Sequence, residues 1–251
     1  MTAMWVTAAL IFGRMSALML TLPVFSTVGL PRYVGVLLSV MLTILIAPSV
    51  PLVEEPTLGM AMVGFAGEMM LGASLGLVVR GAFASFTVGA EMLSRQTALG
   101  MSSFMDPVMN LGQSPLGIVG SWLAGVVFIA ANQHLRVLEV LAASFDRVPP
   151  GATVEIGSLA EAVSGAVGTA IIVGVQLSGP LVALVFLVNV FIGILARLAP
   201  RMNVFFSVGM TLNSIVGIWL FAIALPWMLQ AHGHVVDDAI TGVTKLLLAG
   251  L

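Results

Sequence analysis

GMSSFMDPVMNLGQSP, Gly100 to Pro115, breaks a chain that otherwise runs in long apolar stretches. Asp106 precedes Pro107, and a residue before proline is pushed out of the α region. Gly100, Asn110, Gly112 and Pro115 are further turn formers. The stretch nevertheless carries Met101, Phe104, Met105, Val108, Met109 and Leu111. Connecting segments normally cross the solvated surface. Irregular backbone at membrane depth is tolerated only where protein buries it or a cavity adjoins it. The loop therefore belongs inside an assembly, and the apolar runs on either side are read as helices.

Composition fixes the class. The chain has 251 residues, 59% of them hydrophobic and only 8% charged, with a mean hydropathy of +1.14. Soluble domains carry roughly 25% charged residues, so this is an all-α polytopic membrane protein. A net charge of −2 with no basic tail gives no reason to expect nucleic acid. No cysteine is present, which excludes disulfides, thiolate metal sites and cysteine nucleophiles. No cofactor or metal site is expected. The amino-terminal run lacks a basic flank and continues past Arg14, so it reads as a retained helix rather than a cleaved leader.

Six apolar segments approach or exceed the roughly 20 residues that span a bilayer: 4–22, 34–53, 58–79, 116–133, 164–196 and 204–230. Residues 80–99 extend the third as a more polar helix holding Arg80, Glu91 and Arg95. Residues 135–156 read as the longest polar connection, RLAPRMN at 197–203 as a tight basic turn, and the tail from Gln230 as a short amphipathic helix. With the amino terminus outside, Arg32, Arg80, Arg95, Arg197 and Arg201 fall on the inner side, against Arg136, Arg147 and Lys245 outside.

Five constellations carry weight. GASLG, Gly72 to Gly76, matches a serine-hydrolase elbow, but that elbow needs a strand-to-helix turn. Inside an apolar helix the better reading is a small-residue face for close packing. Arg14 and Glu68 lie within apolar segments, where an ionisable group costs at least about 2.5 kcal/mol. They must face a partner or a wet cavity, and an ion pair fixing helix register is favoured over a proton path. Glu91 and Arg95 are spaced to pair on one helix face. Met101, Met105 and Met109 recur every fourth residue beside Phe104. Ordinary gap filling explains them, yet unbranched thioethers also repack around objects of different shape. Their place on a broken loop favours a deformable seal. Gly179-Pro180 should kink the fifth segment, with Gln176, Ser178 and Asn189 available to bond across helices.

RMSALMLTLPVFSTVGLPRYVGVLLSVMLTILIAPSVP, Arg14 to Pro51, resembles the start of the FliR family of flagellar export-gate subunits and their injectisome counterparts. The resemblance continues through Glu91, Gln96, Phe104 and Asp106-Pro107, then NQHL at 132–135, then Ser144, Phe145 and Pro149. It closes with Asn189, Gly193, Arg197, Ala199, Pro200, Asn203, Gly209, Gly217 and Pro226. Ala98 departs from the family's glycine, Met210 follows Gly209 where proline is common, and the loop from Pro107 to Pro115 is longer.

The resemblance implies a FliP-like part over residues 1–150, with a plug loop at 102–115, followed by a FliQ-like helical hairpin and tail over 151–251. The fold implied is one of long kinked helices and hairpins, packed on neighbours as much as crossing the bilayer. Plug and gating residues are then Met101, Ser102, Ser103, Phe104, Met105, Asp106, Pro107, Met109 and Asn110. Arg14, Glu68, Glu91 and Arg95 are buried polar, structural groups. Arg197, Pro200, Arg201 and Asn203 form a cytoplasmic turn. The implied partners are FliP and FliQ subunits, FlhB, exported unfolded polypeptides and membrane lipid, in the bacterial inner membrane at the flagellar basal body. The function implied is a structural and gating subunit without enzymatic chemistry. The alternatives are a secondary transporter or channel for small solutes, which would need midplane substrate groups, and an intramembrane hydrolase using Ser74.

Overall fold

The computed structural model describes residues 2–23, 31–53, 57–101, 114–152, 155–198 and 208–249. Among them are helices and turns but no strand. Helix α1 is Thr2–Thr21, α2 Arg32–Ile46, α3 Leu58–Gln96, α4 Pro115–Ala130, α5 Gln133–Arg147, α6 Ile156–Leu198 and α7 Met210–Ala249. Short 3-10 turns follow α2 at Ala47–Ser49 and α3 at Ala98–Met101.

The long apolar runs become long helices: α3 has 39 residues, α6 has 43 and α7 has 40. At 1.5 Å per residue, 40 residues reach about 60 Å, twice the roughly 30 Å of a bilayer's hydrocarbon core. Among the described residues four helices are long and apolar enough to cross a membrane, or five if α4 and α5 form one bent span. That is fewer than the six segments read from hydropathy. The second segment is cut to 15 helical residues in α2, because Pro48 and Pro51 end it. The fourth stops at Ala130, where Asn132 takes a left-handed conformation at φ 55°.

Two readings of polar stretches change. Residues 133–147 are helix α5, not a connection. Val137, Leu141, Ser144 and Phe145 are buried at helical spacing, while Arg136, Glu139 and Arg147 stay outside. The tail after Gln230 is no separate element, since α7 runs through it to Ala249. Pro180 and Pro226 lie inside α6 and α7, which continue on both sides of them.

Residues cluster into two compact units, Met1–Phe83 with Phe128–Gly168 and His234–Leu251, and Ala84–Val127 with Thr169–Gly233. The division falls within α3, α4, α6 and α7. In the first unit Leu18, Leu75, Val79, Val137, Val140, Ile240 and Val243 surround one small gap, so α1, α3, α5 and the end of α7 share a core. Gly72 lies so close to α1 that an added Cβ would strike the Arg14 carbonyl, and one at Gly76 would strike Thr21. In the second unit Phe86 and Ala90 of α3 meet Gly120 of α4. Gly89 faces Gly174 of α6, and Thr97 lies against Gly217 of α7.

Candidate functional site

The polar groups of the second unit gather where α3 ends and α4 begins, on either side of residues 102–113. The end of α3 is fastened first. The Ser94 carbonyl accepts from the Thr97 amide at 3.1 Å and from its hydroxyl at 2.8 Å. Gly100 donates to the Thr97 carbonyl at 3.1 Å. A Cβ at Gly100 would sit 2.7 Å from the Ser94 carbonyl oxygen, so only glycine lets the chain turn back this tightly. The Gln96 carbonyl, which has no partner within a helix that ends there, accepts from Asn189 Nδ2 of α6 at 3.3 Å and from Asn213 Nδ2 of α7 at 3.4 Å. Asn213 also donates to Asn189 Oδ1 at 2.9 Å. Three helices therefore converge on one carbonyl.

The start of α4 is fastened by Glu91. Its Oε2 accepts the Ser114 amide at 3.0 Å and the Ser114 hydroxyl at 2.6 Å. Ser114 in turn accepts the Gly117 amide at 3.2 Å, the bond of a helix N-cap. Pro115 occupies the first helical position, where its missing N–H costs nothing. Arg95 Nε reaches the other Glu91 oxygen at 3.2 Å, but the Arg95 side chain is 61% exposed and that of Glu91 21%, so the expectation that Arg95 is buried is corrected: its guanidinium reaches past the carboxylate into the surroundings. Sequence spacing identified the Arg95 pair but not the shorter bonds to Ser114, 23 residues on. The Ser-Pro pair at 114–115 is a helix-start signal that reading Pro115 only as a turn former passed over. Nothing in the sequence tied it to Glu91.

The structure brings Arg14 and Glu68 together in the first unit. Arg14 Nε donates to Glu68 Oε2 at 2.5 Å, and the two side chains are 0% and 1% exposed. Arg14 also donates to the Ser144 hydroxyl at 2.8 Å and the Val148 carbonyl at 2.9 Å. Its guanidinium lies 4.2 Å from the Phe145 ring centroid. Glu68 Oε1 accepts the Gly151 amide at 2.9 Å, and Gly151 has the left-handed φ of 81° that favours glycine. The network clamps α1, α3 and the end of α5, with both charges hydrogen-bonded rather than poised in a channel. Ser144 and Gly151 were missed as its members, since partners over 80 residues apart leave no periodic signal.

Ser74 is buried within α3 and its hydroxyl donates to the Leu71 carbonyl at 2.9 Å. It lies on no strand-to-helix turn. Arg197 is exposed in the last turn of α6. Pro200, Arg201 and Asn203 lie outside the described residues, as do Ser102, Ser103, Phe104, Met105, Asp106, Pro107, Met109 and Asn110. The Met101 backbone closes the 3-10 turn after α3. Among the described residues no group of three or more His, Asp or Glu side chains is placed to hold a metal ion.

Residues 5–239 match the family described as bacterial export proteins, family 1. The flagellar biosynthetic protein FliR of Escherichia coli (strain K12) is 30% identical over 226 residues, covering 90% of this chain and 86% of that protein. The protein of the same name from Pectobacterium carotovorum subsp. carotovorum is 31% identical over 237 residues, covering 94% and 90%. That from Bacillus subtilis (strain 168) is 25% identical over 250 residues, covering 95% and 93%.

Proposed function

The chain belongs to family 1 of the bacterial export proteins, and from that premise we propose that it is the FliR-type structural and gating subunit of a flagellar type III protein-export gate. The observation that carries this reading is the family match across residues 5–239. In this reading the chain joins FliP and FliQ subunits and FlhB in the inner membrane at the flagellar basal body. Residues 1–150 act as a FliP-like part, and residues 151–251 act as a FliQ-like hairpin and tail. Unfolded flagellar proteins pass through the channel, and energy comes from other components.

The segment from Met101 to Asn110 is the plug. Its apolar, proline-broken composition supports that role. So does the fastening of both its flanks, through the turn after α3 on one side and through Ser114 on the other. A loop meant to return to one closed position needs ends that do not wander. The methionines supply a surface able to reseal after polypeptides of different shape have passed. The work is mechanical, and no catalytic group is required of this chain. Arg197, Pro200, Arg201 and Asn203 belong to the turn facing the cytoplasm.

Affinity purification from detergent-solubilised membranes tests the proposal. The tagged chain is expected to bring down FliP- and FliQ-type subunits in fixed ratio, and cells lacking it are expected to export no flagellar subunits. A chain that purifies alone and takes up small solutes in vesicles would support a transporter instead.

A further inference from the structure

Arg14 and Arg80 both interrupt apolar helices of the first unit, and the chain itself satisfies only the first. Arg14 is held by Glu68, Ser144 and Val148. Arg80, inside α3, is exposed. Among the described residues it takes part in no hydrogen bond and no ion pair.

Arg80 stands at one end of an apolar seam. Met62, Ala66, Met69, Ala73, Leu77 and Arg80 follow one another at steps of three or four residues, so they share one face of α3. Met62, Met69 and Leu77 are 67%, 40% and 38% exposed. Ala66 is exposed and Ala73 half-buried. Small residues set between methionine and leucine leave notches that the side chains of another helix can enter.

Lipid does not suit this face. Glu68 accepts the Gly151 amide at 2.9 Å, and a Cβ on Gly64 would lie 3.3 Å from Gly151 Cα. Arg14, paired with Glu68, donates to the Val148 carbonyl. The chain just after α5 therefore lies beside residues 64–68, within the seam's length. Asp146 and Arg147, the last two residues of α5, are exposed there. A bilayer around the seam would draw both charges, and Arg80 with them, toward hydrocarbon, where bare charges are costly.

We infer that the Met62–Arg80 face of α3 is a docking surface for a helix of a neighbouring gate subunit, and that Arg80 takes an Asp or Glu carboxylate carried by that helix. A guanidinium grips a carboxylate with two parallel N–H donors. Beside Leu77 in a closed interface, water and salt screen the pair little. The arginine also selects: a helix without an acidic group would bury the guanidinium uncompensated. The inference rests on the multi-subunit reading above and adds the chemistry that the neighbour presents.

The experiment identifies the neighbour and then swaps the charges. The photo-reactive residue p-benzoylphenylalanine, placed at Leu77 one turn from Arg80, is cross-linked in cells that assemble the whole gate. The captured peptide is sequenced by mass spectrometry. It is expected to come from another gate subunit and to contain an Asp or Glu. Capture of lipid alone, of a second copy of this chain, or of a peptide without an acidic residue overturns the inference. Arg80→Glu is expected to lower the co-purified gate subunits about tenfold or more, and Arg80→Lys by a smaller factor. Changing the captured acidic residue to Lys is expected to restore R80E, which separates a lost pair from a damaged fold. Parental complex levels in R80E overturn the inference, as does an R80E gate that the swap leaves unrestored. A parent chain that brings down no other gate subunit overturns the proposed function and this inference with it.

Discussion

Removing the Arg14 side chain would strand the Glu68 carboxylate, 1% exposed, without its cation. Breaking a buried pair from one side costs about 3–5 kcal/mol, because the remaining charge is left uncompensated. Arg14→Met is therefore expected to lower the thermal midpoint of the solubilised subunit sharply. Arg14→Met with Glu68→Met should recover part of that loss. The orphan charge is gone, while the Gly151 amide and Val148 carbonyl remain unpaired at about 1–3 kcal/mol. Equal melting of R14M and the parent would show that the pair carries no stability. At this scale the sequence was informative about need and about charged partners, and silent about the neutral ones. Two charges in apolar runs announced that each must be satisfied. Only the fold reveals that Ser144, Val148 and Gly151 share the task. Glu91 shows the same limit, since its spacing from Arg95 was visible and its bonds to Ser114 were not.

Among the elements, α3 is held to α1 through its glycines. Gly72 admits no Cβ without displacing the Arg14 backbone, so Gly72→Ala must push the helices apart and disturb the Arg14–Glu68 pair beside it. A large loss of subunit in the membrane and of export is expected. Ser74→Ala, two residues away, removes one bond to the Leu71 carbonyl and should leave export within about twofold of the parent, as a helix-internal hydroxyl contributes little. Abolished export in S74A with normal subunit levels would revive a catalytic role for that serine. The long apolar helices were legible because composition alone implies them. Helix α5 was not: Arg136, Glu139, Asp146 and Arg147 masked an apolar stripe of Val137, Leu141 and Phe145. Helix α2 was overestimated because hydropathy runs on past Ala47, whereas Pro48 and Pro51 have no amide to donate and the chain tightens into a 3-10 turn at Ala47–Ser49.

For the whole molecule, the apolar windows of α6 and α7 are only 17% and 22% buried by the chain itself, against 50% in α1 and α3. Phe186, Leu187, Phe191, Ile218, Trp219 and Ile223 are among the exposed side chains. Faces this apolar call for cover by lipid or by other protein. Membership of an export family was legible from ordered residues along nearly the whole chain. The composition of the loop at 102–115 showed only that an apolar, broken segment demands burial. The direct measurement is ion conductance across membranes carrying assembled gates from which Ser103–Asn110 of this chain has been deleted. The account predicts raised conductance with export retained; conductance equal to that of the intact gate, at equal complex levels, would contradict it.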